Sequence, residues 1–490
     1  MNRRLETNGV AYNSLILTFV SVLTTVIGIV VTKLLSVYFS LEEYGTYSQA
    51  NLVCTTVTSL SILGLTNATN YFYNRTDDLA TQKIYISTIF IVELLIGSVS
   101  GVGVILLSPV IASAFGNAGL IAMLPIVAFT PLLTNILAMY QTLFVSIGKA
   151  KILAVRNLIV SVLRLVTVIA IVLYIKNIAF VLLFVLMLDL LQVLYFAWMF
   201  RKNKFPISPR NADFGLLREV FAFSIPMAVY VLTNSLSRDI DKYVISFFCD
   251  TETIAVYANA SKLLPFDLLT TSLITVLVPV LTRLINSKQF EDAQKVMKLY
   301  LQMGYVMTFI FVGGAVALAK DLLLFLYDPK YLSGLAIFIV YLFVDMIRFA
   351  NVTTILSAAG KTKILMRISV SVLVANAFLN VLALKLFGII GPAVTTLVLT
   401  LLMIMAMLRY GASEIHSSVL ELFDYREMAI IGVEILLFGF AAGRLCSMLE
   451  VAGISIFFRL AICYGSYVAA MLLINKTRII NCFRKLNQYK

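Results

Sequence analysis

The chain has 490 residues, 61% of them hydrophobic and only 13% charged, with a mean hydropathy of +0.97. A soluble protein of this length carries about a quarter charged residues, so the composition excludes a soluble fold and identifies an integral membrane protein. The net charge of +13 lies at the ends of apolar segments and forms no basic run with interleaved aromatics, which excludes a nucleic-acid partner.

A helix crossing about 30 Å of hydrocarbon needs about 20 apolar residues. Fourteen such stretches are predicted, giving an all-α polytopic membrane fold with about 14 transmembrane helices. The first six cover 10–39, 44–65, 84–115, 120–147, 152–175 and 178–200. The opening "MNRRLETNGVAYNSLILTFV" leads into a stretch too long for the apolar core of a cleavable signal. A linker, "RKNKFPISPRNAD", separates these from six more, at 214–248, 253–285, 296–318, 332–359, 364–387 and 391–408. A polar connector, "RYGASEIHSSVLELFDYRE", precedes the last two, 428–446 and 451–474. The expected domains are therefore 1–204, 205–412 and 413–490, the last holding two helices and a basic tail.

The cations support an even number of crossings. With both termini in the cytoplasm of a bacterium, only Lys176, Lys320, Lys330, Lys385 and Arg444 fall outside. Lys33, Arg164, Arg238, Lys242, Lys262, Arg348 and Arg459 fall within spans, and the rest lie inside. The loops are too short for an extramembrane catalytic domain, so no enzymatic activity is expected. The five cysteines are scattered singly and the one histidine, His416, lies in a connector. Neither a disulfide frame, a metal site nor a cofactor is indicated.

An internal repeat organises the spans. "GKAKIL" from Gly148 returns as "GKTKIL" from Gly360, each between the fourth and fifth helices of its own six-helix block. "SLEEYGTYSQA" from Ser40 matches "DTETIAVYANA" from Asp250 in Glu42/Glu252, Tyr47/Tyr257 and Ala50/Ala260. With one residue of slippage, "TKLLSVYF" lies over "DKYVISFF" and superposes Lys33 on Lys242. Two pseudo-symmetric six-helix lobes of the same orientation, around a central cavity, account for the common spacing. In the hexapeptides themselves, glycine ends a helix and the lysines hold the loop inside.

Three stretches carry a family resemblance. "FSLEEYGTYSQA" resembles the segment after the first helix of polysaccharide-biosynthesis flippases, with Ser40 where they have glycine. "FSIPMAVYVLTNSLSRDIDKYVISFF" resembles their seventh helix and "FGIIGPAVTTL" the start of their twelfth. These lipid-linked oligosaccharide flippases, of O-antigen and exopolysaccharide type, belong to the multidrug/oligosaccharidyl-lipid/polysaccharide (MOP) exporter superfamily. The resemblance implies two lobes working by alternating access. It also implies a polyprenyl-diphosphate-linked oligosaccharide as cargo, moved from the cytoplasmic to the outer leaflet of the inner membrane for surface polysaccharide synthesis. The implied partners are membrane lipid, a coupling H+ or Na+ and other polysaccharide-assembly proteins.

A charge at the bilayer centre costs about 2.5–3.5 kcal/mol, so each intramembrane cation needs a partner, a cavity or a snorkelling route. On the seventh helix Tyr230, Asn234, Arg238 and Asp241/Lys242 recur at helical spacing and form one polar stripe. Arg238 either pairs with Asp241 or meets an anionic headgroup. Lys33 and Lys242 either snorkel or form a two-lobed clamp on a diphosphate. Arg164, aligned with Asn157, Ser161 and Thr167, either pairs with a carboxylate such as Glu93 or serves the same ligand. Lys262, with Asn259 a turn earlier, is the fifth binding candidate; Asp345 with Arg348 reads as a structural pair, and Arg459 is the weakest candidate. Tyr47, Asn51 and Asn234 are candidate glycan contacts, although the face carrying Tyr47 and Asn51 equally suits helix packing. Asp241, Asp239 and Glu93 are candidate coupling carboxylates, with no defined metal site among them. The alternative within transport is a cation-coupled multidrug antiporter of the same superfamily, whose cavity should be net acidic. A membrane polysaccharide polymerase or glycosyltransferase is the remote one.

Overall fold

The computed structural model describes residues 3–76, 78–147, 149–202, 205, 207, 209–266, 277, 278, 280–486 and 488. They are mostly helical, with no strand among the described residues. Twelve helical stretches there are long and apolar enough to cross a membrane, so the protein is a multi-pass membrane protein. The two further predicted spans have different outcomes. The seventh is a continuous helix of 32 residues, five of whose side chains, at 226, 227, 230, 231 and 234, lie outside the described residues. The eighth includes 267–276 and 279, which lie outside the described residues.

The chain divides into two compact units, Met1–Ala255 and Val256–Lys490. The first contains α1 (Arg3–Tyr38), α2 (Leu41–Ser61), α3 (Leu65–Asn74), α4 (Leu79–Ala114), α5 (Leu120–Val127), α6 (Thr130–Ser146), α7 (Ala150–Ala170), α8 (Ala179–Lys202) and α9 (Leu217–Phe248). Helix α10 (Thr251–Ala260) spans the division. Ser40 caps α2: its hydroxyl accepts from the Glu43 N–H at 3.1 Å, while the Glu43 carboxylate accepts from the Ser40 N–H at 2.9 Å. A serine that closes a capping box explains why this position works without glycine. Leu63 and Gly64 both take positive φ, which ends α2 and redirects the chain into α3.

Glycines set how closely α4 and α6 approach. A Cβ at Gly97 would stand 2.6 Å from the Leu132 side chain, and one at Gly101 would stand 2.9 Å from the Ala128 carbonyl oxygen. Below them an aromatic core forms from Phe72, Tyr140, Phe144, Phe196 and Phe200. The N-terminal part of α9 docks onto this end of the unit. Tyr71 stacks on Phe223 at 4.4 Å, and Glu219 pairs with Arg75 and accepts from the Tyr85 hydroxyl.

The second unit is built around α11 (Phe290–Ala317), whose side chains are mostly buried. It continues through α12 (Ala319–Leu326), α13 (Leu335–Ile347), α14 (Thr354–Ala358), α15 (Thr362–Phe387), α16 (Ile390–Glu414), α17 (Tyr425–Val451) and α18 (Ile456–Leu486). The predicted tenth span, 332–359, is broken between α13 and α14. Asn351 turns the chain there by accepting from the Thr353 N–H and giving its own N–H to the Tyr300 hydroxyl. Gly360, at φ +71°, closes α14, as expected of the second hexapeptide; Gly148 lies outside the described residues. In "FGIIGPAVTTL", Gly388 takes φ +67°, and a Cβ on Gly391 would fall 2.2 Å from the Ala383 carbonyl oxygen.

The last two helices pack intimately on α11. A Cβ at Gly314 would meet the Tyr467 ring at 2.6 Å, and one at Gly313 would meet Ile435 at 2.5 Å. At one end Arg459 pairs with Asp321 while the Cys446 thiol donates to the same carboxylate at 3.3 Å. Toward the other, Glu434 accepts from Asn475 at 2.8 Å and pairs with Arg478 at 3.2 Å. Arg459 is thus engaged as a buried structural ion.

Candidate functional site

The polar stripe of the seventh span falls on α9, where it runs beside α2 within the first unit. Three contacts define that seam. The Ser59 hydroxyl donates to Ser235 at 2.8 Å, and the Tyr243 hydroxyl donates to Thr56 at 2.7 Å. Where α2 and α10 begin, Gly45 approaches so closely that a Cβ would lie 2.0 Å from the Thr251 carbonyl oxygen. Phe115 adds an edge contact to Phe247 at 5.0 Å. Small residues and hydroxyls that pair across the seam let two membrane helices come this near.

The charges of this stripe are arranged differently from the simplest expectation. The ion pair is Lys242 with Asp239, at 2.6 Å and one turn apart. Asp241, one of the two alternatives for Arg238, is buried and accepts from the Lys242 backbone N–H at 2.8 Å. Arg238 is exposed and has no ion pair among the described residues. The side chain of Asn234 lies outside the described residues, as does that of Tyr230. Lys33 is half-buried on α1.

The other candidates are spread around the fold. Arg164 is exposed on α7, within electrostatic reach of Asp189 on α8, which also feels Arg156. Glu93, the carboxylate offered as one alternative for Arg164, is fully buried on α4 and neither carboxylate oxygen has a hydrogen-bond partner among the described residues. The titratable group that feels it is Tyr140 of α6. Lys262 is exposed just beyond α10, in the second unit, its backbone N–H donating to the Asn259 carbonyl at 3.3 Å. Asp345, read beforehand with Arg348, accepts from the Leu264 N–H at 2.9 Å.

Of the glycan candidates on α2, Asn51 gives its amide to the Tyr47 carbonyl at 3.0 Å, and Tyr47 packs against Tyr44 at 5.7 Å. Both are half-buried. Tyr243, Thr56 and Ser59 are seam residues that their sequence positions did not single out. The adjacency of Tyr243 to the Asp-Lys motif was the available signal. Asp321 and the buried Asn380 of α15, the latter with both amide atoms unpartnered among the described residues, were not singled out either. No group of three or more His, Cys, Asp or Glu residues that could hold a metal ion occurs among the described residues.

Residues 30–335 match the family described as "Polysaccharide biosynthesis protein". No curated protein matches the chain in sequence. Among solved structures, it is similar to one described as lipid II flippase MurJ in an inward closed conformation. The TM-score is 0.72 at 15% identity, covering 95% of this chain and 100% of that one. An inward-facing multidrug-resistance MATE transporter of the MOP superfamily gives 0.66 at 12% identity, over 80% and 94%. A MOP transporter from Pyrococcus furiosus, described as having a binding pocket of reversed polarity, gives 0.55 at 10% identity, over 83% and 94%. The fold is that of the MOP transporters.

Proposed function

The chain belongs to the polysaccharide biosynthesis protein family, and on that footing we propose that it flips a polyprenyl-diphosphate-linked oligosaccharide from the cytoplasmic to the outer leaflet of the inner membrane. Both termini are cytoplasmic in this reading, and the two halves of the chain work by alternating access. The observation that carries it is the pairing of this family match with a polar, cation-bearing helix that is too costly to face lipid. Arg238, Lys33 and Lys242 receive the diphosphate, with Arg164 and Lys262 as further basic contacts; Tyr47, Asn51 and Asn234 offer polar groups to the sugars. Diphosphate recognition suits charge-assisted hydrogen bonds from several cations better than one.

Transport against a gradient needs a coupled driving force, for which Asp241, Asp239 and Glu93 are the candidates. Glu93 has the strongest support, because it is buried on α4 with no hydrogen-bond partner on either oxygen among the described residues. Substituting Glu93→Gln keeps shape and burial; the expected result is flipping that persists but no longer responds to an imposed proton gradient. A response equal to that of the unmodified protein contradicts the assignment.

The likeness to MATE transporters favours a second reading, a cation-coupled antiporter of organic cations. One experiment separates the two. The purified protein is placed in vesicles with a labelled polyprenyl-diphosphate oligosaccharide on one leaflet, and its arrival in the other is followed. Flipping supports the first reading. Uptake of an organic cation without flipping supports the second.

A further inference from the structure

The pairing of Lys242 with Asp239 uses up a cation that the proposed function needs, and its geometry shows how that cation becomes available. The pair joins residues three apart on one helix, so it ties α9 to nothing else. Pairs of this spacing are weak. Both side chains keep 22% exposure, enough for a ligand atom to reach them. At 3.6 residues per turn, Ser235, Asp239, Lys242, Tyr243 and Ser246 fall within an arc of about 100°. Ser235 and Tyr243, on this arc, hold α2 through Ser59 and Thr56. The ion pair therefore lies on the face of α9 that meets α2. One turn along the arc, the Ser246 hydroxyl is buried without a hydrogen-bond partner among the described residues. Arg238 flanks the pair and is exposed.

Resting on the flippase reading, we propose that Asp239 is a displaceable counter-ion: it neutralises Lys242 while the site is empty and is exchanged for a diphosphate ester when cargo arrives. A diphosphate brings two to three negative charges against the single charge of a carboxylate, so it wins Lys242 and gains Arg238 beside it. A monophosphate or an uncharged prenol has less to offer against Asp239. Asp239 thereby sets a threshold of charge that a lipid headgroup must exceed. It acts through Lys242 as a positioning residue and touches no cargo itself.

The test uses the full chain in lipid nanodiscs with farnesyl diphosphate, farnesyl monophosphate, farnesol and inorganic pyrophosphate as probes. The unmodified protein binds the diphosphate ester most tightly. Asp239→Asn raises affinity for it about fivefold, the size expected for freeing one partly exposed cation, and raises affinity for the monophosphate as well, so discrimination narrows. In a Lys242→Gln background the Asp239→Asn gain disappears. The reversed pair, Asp239→Lys with Lys242→Asp, keeps the ion pair but moves the cation one turn and loses diphosphate affinity; a merely structural pair would survive it. In the unmodified protein, farnesyl diphosphate increases carbodiimide labelling of Asp239 while protecting Lys242 from amine labelling, a readout that needs no variant to fold. Equal or weaker binding by folded Asp239→Asn, a gain independent of Lys242, or unchanged Asp239 labelling overturns the proposal. If the unmodified protein flips the oligosaccharide while those results appear, the counter-ion alone fails. If it neither binds nor flips, the flippase reading fails with it. Preference for inorganic pyrophosphate over its farnesyl ester assigns the site to free anions and likewise overturns a lipid-headgroup role.

Discussion

Each charged side chain in an apolar span must be reconciled with its surroundings, and this protein does so in three ways. Arg459 is buried against Asp321, with Cys446 donating to the same carboxylate. Removing Asp321 leaves the buried Arg459 to its 3.7 Å contact with the exposed Glu450, so Asp321→Ala should cost about 3 kcal/mol of stability, whereas Asp321→Leu with Arg459→Leu should recover most of it. Thermal unfolding in detergent, compared across single and double variants, measures the difference. Lys242 is neutralised within its own helix by Asp239. Arg238 carries an exposed charge with no ion pair among the described residues, and Arg238→Ala is expected to lower flipping while leaving unfolding temperature unchanged. At position 33 charge is the quantity that matters, so Lys33→Arg should retain more flipping than Lys33→Ala. The residue types and helical spacing on the seventh span were readable from the sequence. Which acid answers which base was not, because Arg238/Asp241 and Asp239/Lys242 are both three apart and equally spaced for pairing, and only the second pair forms. Glu93 shows the same limit: spacing cannot tell that it is buried on α4 with neither oxygen partnered among the described residues.

Among the elements, glycines decide how close helices come. The Gly45 approach to Thr251 and the Gly314 approach to Tyr467 leave no room for a methyl group. Gly45→Ala meets backbone, which cannot yield as a side chain can. It should therefore destabilise by about 1–3 kcal/mol or more and loosen α2 from the segment that follows α9. Cysteine cross-linking across Ser59 and Ser235, 2.8 Å apart between hydroxyls, should form readily in the unmodified background and more slowly with Gly45→Ala; equal rates would show that the glycine contact does not hold the seam. Apolar length predicted most helices, and the serine at the start of α2 was recognised as a departure concerning the turn. Its capping box with Glu43 is the physical content of that departure. The interruption after Ile347 was hidden because its cause is a tertiary hydrogen bond from Asn351 to Tyr300. A hydropathy pattern carries no trace of such a bond.

For the molecule as a whole, the membrane class followed from composition, because 13% charged residues cannot clothe a soluble surface of this size. The superfamily followed from three short stretches, and the family match over 30–335 and the MurJ and MATE folds agree with it. Cargo is a different matter: sugars and headgroups are read by a few side chains whose orientation depends on the conformational state, so α2 and α9 supply candidates and not an identity. The most direct test of the central claim is reconstituted flipping of a labelled polyprenyl-diphosphate oligosaccharide by the unmodified protein and by the Lys33→Ala/Arg238→Ala double variant. Arrival in the opposite leaflet is expected for the first and at least a tenfold slower rate for the second, about 1.4 kcal/mol, at equal folded amount. Equal rates from both proteins would contradict that claim.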